Sequence, residues 1–163
     1  MIRQTRLEDA ESITSIYNHY IKNTRTTFEV EPISVTQMIA RIEECEKHGY
    51  PWLVAERDGQ IIGYSYATQW KARSAYQHTV EASVYLAPES KGQGLGAKLF
   101  KELLETLKAQ HIHVVIGSVA LPNNPSIALL EKFGMEKVGH LKEVGRKFDQ
   151  WVDVGFWQLI LKK

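Results

Sequence analysis

The sequence predicts an α/β fold in which one mixed, strongly twisted sheet carries helices on both faces. Three observations lead there. Thr79 to Leu86 alternates polar and apolar residues, the period of a strand with one face on a core. It runs into Gly92, Gly94 and Gly96, and then into a stripe of Leu95, Leu99, Leu103 and Leu107 at helical spacing. Val114 to Val119 is a continuous apolar run, read as a buried strand parallel to the first, so the helix between them is a right-handed crossover. Two earlier apolar runs, Trp52 to Glu56 and Gln60 to Ala67, are joined by Asp58-Gly59, a strong hairpin signal. The sheet therefore starts antiparallel and becomes mixed.

With 163 residues and no Pro/Gly/Ser linker, the chain is read as one domain, 1–163. Its 20 basic and 19 acidic residues leave a net charge of +1, too weak a field to invite nucleic acid or an anionic membrane. Affinity for phosphate must be local. Cys45 is the single cysteine, which excludes an internal disulfide, and its place on an apolar helix stripe argues for packing. The start, Met1 to Ser12, is polar and soon acidic, unlike a signal peptide, and no stretch reaches transmembrane length. A cytoplasmic protein is expected.

Ile2 to Arg6 reads as a short strand, and Asp9 to Tyr20 as a helix that buries Ile13, Ile16, Tyr17 and Tyr20 and ends at Asn18, His19 and Tyr20. Lys22 to Glu31 has no regular period. Phe28 within it reads as an anchor tucked under a surface loop. Ser34 with Gln37 forms a capping box for a helix burying Val35, Met38, Ile39 and Ile42, and Gly49 ends it. After Trp70 comes Lys71-Ala72-Arg73, a basic loop cluster of a kind that is usually solvated surface. Leu121 to Ser126 is a turn into a helix from Ile127 to Phe133 that Gly134 ends; Asn123 and Ser126 in such a turn are commonly caps. Strands near Val138 to Val144 and Trp151 to Leu161 complete the sheet.

A helix that begins among glycines aims unpaired N–H groups and the positive end of its dipole at whatever lies in front, and the expected visitor is a phosphate. Three readings compete. A P-loop needs Gly-Lys-Ser or Gly-Lys-Thr, whereas the chain has Gly96-Ala97-Lys98-Leu99. A dinucleotide fingerprint needs G-x-G-x-x-G, whereas the spacing here is G-x-G-x-G. The third is the pyrophosphate loop of acetyl-CoA-dependent acetyltransferases: Gln or Arg, two residues, Gly, one residue, then Gly or Ala. Lys91-Gly92-Gln93-Gly94-Leu95-Gly96 resembles it, with Lys91 in the Gln/Arg place.

Together with Trp70-Lys71-Ala72-Arg73, Tyr76, the run Thr79 to Tyr85 and the run Asp153 to Leu159, the chain resembles the phosphinothricin and methionine sulfoximine N-acetyltransferases of the GNAT superfamily. The resemblance covers nearly everything from Tyr17 onward. It implies the GNAT fold and direct transfer of an acetyl group from acetyl-CoA to the amino group of a small amino-acid analogue. It also implies that Lys91, Gly92, Gln93, Gly94, Leu95 and Gly96 hold the pyrophosphate. Ser83, Val84 and Tyr85 would pair with the pantetheine arm, one of their N–H groups polarising the thioester carbonyl. Asn123, Ser126 and Lys132 would add cofactor contacts. Phe28, Trp70, Lys71, Ala72, Arg73, Tyr76, Val80 and Ala82 would form the acceptor site, with Arg73 and Lys71 orienting a carboxylate.

Glu81 is the candidate general base. A mid-strand carboxylate is more often part of a solvated sheet face, but this one precedes the glycine turn on the same strand. An ammonium acceptor cannot attack a thioester until it loses a proton, which is the chemistry a carboxylate supplies. The resemblance matches at this position. One departure is Leu130, which stands where the superfamily commonly has Tyr and the phosphinothricin enzymes have His. Leucine cannot donate a proton, so the thiolate leaves unaided or Tyr85 or a water supplies one, and phosphinothricin is no more favoured than methionine sulfoximine. Val144 to Phe148 resembles a stretch that reaches a neighbouring subunit, which implies a homodimer; on residues alone it is a basic hairpin loop. No metal is required, and His111-x-His113 is too sparse a pair to claim one. A GNAT enzyme acting on another amine (a polyamine, an aminoglycoside or a protein N-terminus) and a non-catalytic acetyl-CoA sensor stay open as alternatives.

Overall fold

The computed structural model describes residues 1–162. Its strands are β1 (Ile2–Gln4), β2 (Trp52–Arg57), β3 (Gln60–Gln69), β4 (Thr79–Leu86), β5 (Val114–Ala120), β6 (Glu136–Lys147) and β7 (Gln150–Ile160). They form one sheet in the order β1-β2-β3-β4-β5-β7-β6. Every neighbouring pair is antiparallel except β4 and β5, which flank the crossover. Helices α1 (Ala10–Asn23) and α2 (Val35–Lys47) cover one face; α3 (Leu95–Ala109) and α4 (Asn124–Lys132) cover the other. The GNAT expectation of a mixed sheet with helices on both faces is met. No helix among the described residues is long and apolar enough to cross a membrane.

Period-two alternation sorts the strands between two cores. Trp52, Val54 and Tyr64 pack under α1 and α2, while Leu53, Ala55, Val80 and Val115 pack under α3. The leucine stripe of α3 inserts Leu99, Leu103 and Leu107 with no exposed surface. Each such side chain contributes roughly 1.5–3 kcal/mol on leaving water.

Several boundaries differ from the sequence reading. Helix α1 continues past Tyr20 to Asn23 because Ile21 is buried against the core. Asn18 does not end the helix; its amide exchanges two hydrogen bonds with the backbone of Ile33, each 2.9 Å, and pins the incoming loop. Thr24 closes the helix by donating to the Tyr20 carbonyl. In α2 the Ser34–Gln37 capping box is present, but Val35 is exposed and the inner stripe is Met38, Ile42 and Cys45. Helix α4 begins at Asn124, earlier than expected, since Asn123 is its N-cap. Strand β5 alternates instead of being buried throughout: Val115, Gly117 and Val119 face α3 and α4, and Ser118 faces the open side.

What positions the site is a separation of strands. β4 and β5 pair only where Thr79 to Glu81 meets Val114 to Ile116. Beyond that point β4 stays with β3 and β5 stays with β7, so the two diverge and open a wedge in mid-sheet.

Candidate active site

Glu81 stands where the wedge begins. It shares the α1/α2 side of β4 with Ser83 and Tyr85, and its cross-strand partner on β3 is Thr68. Over it lies a cavity of ≈ 290 Å³ walled by Tyr17, Tyr66, Tyr85, Ser118, Val154 and the loop Thr26 to Phe28. The Ser118 hydroxyl donates to Glu81 Oε1 at 3.3 Å. Burial pushes the Glu81 carboxyl above the usual carboxylate range, and the Ser118 bond and the nearby Lys71 charge oppose that push.

The loop over the cavity is tied from three directions. Tyr17 Oη bonds Thr27 Oγ1 at 2.9 Å and also donates to Glu29, which Arg41 grips with both guanidinium nitrogens. Arg41 holds the Glu29 carboxyl below its ordinary range, and burial raises the Tyr17 phenol, so this network is charged only at Glu29 and Arg41. Lys147 is buried and donates to the Thr27 carbonyl at 2.7 Å. A Cβ at Gly145 would lie 2.4 Å from the Phe28 ring, so the Val144 to Phe148 stretch closes on its own chain's loop and needs glycine there.

Between the parted strands a narrower cavity of ≈ 80 Å³ is lined by Ser83, Val84 and Tyr85 on one side and by Gly117 to Ala120 on the other, with Asn123, Ser126 and Leu130 closing it. Asn123 Oδ1 accepts from the Ser126 amide at 3.2 Å, the cap that sequence alone favoured. At the outer end of β4 is the glycine turn. Gly92 and Gly94 have φ of 78° and 75°, and a Cβ on either would meet nothing within 4 Å. Gly94 is the N-cap of α3 and no side chain caps the first turn, so its amides stay available to an anion. The open cradle and free donors fit the diphosphate of coenzyme A. Around it, Lys91 Nζ lies 4.9 Å from the Tyr20 ring centroid, and Gln93 accepts from Arg57 at 2.9 Å. Leu95 is turned into the core and can offer only its backbone. Lys132 is exposed in the last turn of α4 and forms no part of the ≈ 80 Å³ cavity wall.

The acceptor residues expected from sequence divide. Phe28 borders the Glu81 cavity. Lys71 lies close enough for its charge to act on Glu81, and its Nζ sits 4.8 Å over the Trp70 ring, which itself meets Phe156 edge-on. Val80 and Ala82 are buried on the α3 side, since alternation turns every second residue of β4 away from Glu81; their side chains do not reach the cavity. Arg73 and Tyr76 are exposed and outside its wall, and Ala72 lines a different surface pocket with His48 and Gln77. Sequence reasoning passed over Ser118 and Tyr66. Ser118, the lone polar side chain in the run Val114 to Ala120, was the available signal. Leu130 does border the wedge, buried against Gly117, where a Cβ would come within 2.8 Å of it.

The acetyltransferase (GNAT) domain family matches residues 2–155. A phosphinothricin N-acetyltransferase of Streptomyces viridochromogenes is 40% identical over 96% of this chain and 85% of its own length. An L-methionine sulfoximine/L-methionine sulfone acetyltransferase of Pseudomonas paraeruginosa is 34% identical over 98% of this chain and 94% of its own. The crystal structure of a phosphinothricin acetyltransferase from Sinorhizobium meliloti with acetyl-CoA superposes with a TM-score of 0.97 at 36% identity, covering 99% of this chain and 88% of that one. The glycine turn, the parted strands and these likenesses together establish that the chain belongs to the GNAT family and is an N-acetyltransferase.

Proposed function

We propose that this chain, acting as a single cytoplasmic domain and assembled as a homodimer, moves the acetyl group of acetyl-CoA to the amino group of a small amino-acid analogue of the phosphinothricin or methionine sulfoximine type. The observation that carries the reading is the Glu81 carboxylate, alone in its cavity at the point where β4 and β5 part, with the glycine turn at the far end of the same strand. The names of the relatives at 40% and 34% identity support the acceptor class.

Acetyl-CoA supplies the acetyl group as a thioester. Gly92 and Gly94 let the α3 amides approach its diphosphate, and the backbone of Ser83 to Tyr85, released from β5, is free to pair with an extended arm. Glu81 takes the proton from the acceptor ammonium. Its raised pKa makes its ionised form a stronger base than an exposed carboxylate. Tyr85 lines both cavities and burial keeps its phenol protonated, so with Leu130 in the usual Tyr or His place its O–H is available to hydrogen-bond the departing thiolate, whose modest basicity lets it leave without an acid. Lys71 meets the acceptor carboxylate; it has no ion-pair partner among the described residues, whereas Arg41 is already engaged by Glu29.

The test is thiol release from acetyl-CoA with phosphinothricin, methionine sulfoximine and related amino acids. Release should depend on acceptor and fall about 10²–10⁴-fold in Glu81→Gln, the range of a lost general base. A second reading, an acceptor without a carboxylate, is favoured by the position of Arg73 outside the cavity wall. Unchanged KM in both Lys71→Ala and Arg73→Ala would select it. A chain that binds acetyl-CoA and releases no thiol with any amine would be a sensor.

A further inference from the structure

The end of β3 brings a primary amine of this chain back over the sheet beside Glu81. By alternation Tyr66, Thr68 and Trp70 share the side of the sheet that carries Glu81. The Trp70 amide donates to the Thr79 carbonyl at 3.2 Å, which fixes its backbone next to β4 two residues before Glu81. Its ring meets the Phe156 ring edge-on at 5.9 Å, and Phe156 is the cross-strand partner of Ser118, whose hydroxyl donates to Glu81. In the strand order β3-β4-β5-β7 a contact between Trp70 and Phe156 must pass over β4 and β5. The indole therefore lies across the two strands that part at Glu81.

Lys71 follows on an exposed loop, but its side chain folds back onto this indole: Nζ lies 4.8 Å from the ring centroid. Its charge is felt at Glu81, where it favours the ionised carboxylate. No carboxylate pairs with Lys71 among the described residues. The amine is thus neither neutralised by an acid nor spread into solvent. It is held on an aromatic face next to the base, and the wedge that would receive the thioester opens just beyond Glu81.

An amine, a base and a thioester at one place are what acetyl transfer requires, and a tethered amine has the advantage of proximity over one that must diffuse in. We propose that Lys71 is a modification site of this enzyme: with acetyl-CoA bound and no acceptor over Glu81, the chain acetylates its own Lys71 Nζ. The inference rests on direct transfer with Glu81 as the base. Glu81 takes one proton from the Lys71 ammonium, the freed lone pair forms the nitrogen–carbon bond, and the carbon–sulfur bond breaks. The thiolate leaves with the second proton that the nitrogen sheds, and Glu81 returns its own to solvent. The product is a neutral amide, so a modified chain loses the positive charge proposed to meet the acceptor carboxylate.

The test is incubation with isotopically labelled acetyl-CoA and no acceptor, followed lysine by lysine with peptide mass spectrometry. Lys101, exposed on α3 and 4.0 Å from Glu105, reports uncatalysed acetylation. Lys71 should be labelled about tenfold or more faster than Lys101, at a rate per chain that does not change on dilution. Glu81→Gln should slow Lys71 labelling about tenfold or more and leave Lys101 as it was. An excess of the amine that gives the fastest thiol release should suppress the label at Lys71 and not at Lys101. Labelling of Lys71 no faster than Lys101, or in proportion to protein concentration, would overturn the inference. So would a Lys71 label that the acceptor does not suppress, or one that persists in Glu81→Gln after acceptor turnover is lost. Undiminished acceptor turnover in Glu81→Gln would instead overturn the proposed base, and this inference with it.

Discussion

As the proposed base, Glu81 concentrates the conflict between stability and activity. Burial raises its pKa, so over the interval between the ordinary carboxylate pKa and the raised folded value the native state holds more protons than the unfolded chain. Stability contributed at this site is thus present at low pH and lost as pH rises through that interval, and above it the buried charge is a standing cost. Glu81→Gln, which keeps a partner for Ser118, should raise the melting temperature at pH 7 while removing activity. A lower melting temperature would contradict the burial argument. With Glu81 as the proposed base, the acid limb of kcat/KM should lie above the usual carboxylate range. Ser118→Ala, by removing a donor to the charged form, should move that limb to still higher pH. Glu81 was legible in the sequence by its place ahead of the glycines. Its pairing with Ser118 was not, because the contact links β4 to β5 across the wedge and has no local spacing.

At the scale of one turn, the three glycines before and within α3 look alike in the sequence and are not alike in the fold. Gly94 sits at φ 75° in the left-handed region, where a side chain costs roughly 1–2 kcal/mol. Gly96 is inside the helix with ordinary backbone, and a Cβ there would make normal contacts of 3.7 and 3.8 Å with Leu86 and Leu129. Denaturant unfolding should therefore find Gly94→Ala destabilised by about 1–2 kcal/mol. It should find Gly96→Ala unchanged or stabilised by up to about 1 kcal/mol, the helical preference for alanine. Gly94→Ala should also raise KM for acetyl-CoA, since the added methyl enters the open space proposed to hold the diphosphate. Equal losses in both variants would show that the turn does not work this way. The helix itself was legible from its leucine period; which glycine bears the strain required the backbone.

For the molecule as a whole, the β6–β7 hairpin closes over the acceptor loop through Lys147 and Gly145 and still leaves Val138, Leu141, Val144, Phe148 and Trp151 exposed. An apolar surface of this kind on one element is the natural seat of the proposed dimer contact. Sedimentation should give twice the chain mass of 18.6 kDa, and Val144→Asp with Trp151→Asp should shift it to the monomer. A monomeric wild type would remove the homodimer from the proposal.

By itself the sequence determined the order of strands and helices, the crossover, the glycine turn and the place of Glu81 on the strand ahead of it, because each is written in a local period, a turn residue or a contiguous motif. Tertiary structure alone decided the rest. Which face of β4 carries Glu81 follows from alternation only once the covering helices are placed, and it turned the side chains of Val80 and Ala82 away from the Glu81 cavity while keeping Ser83 on it. Where β4 and β5 part, and which side chains from Tyr17 to Val154 then surround Glu81, depends on pairings between residues far apart in the chain. Those contacts carry no signature in any short stretch of sequence, since their geometry is set by how two separately built cores share one twisted sheet.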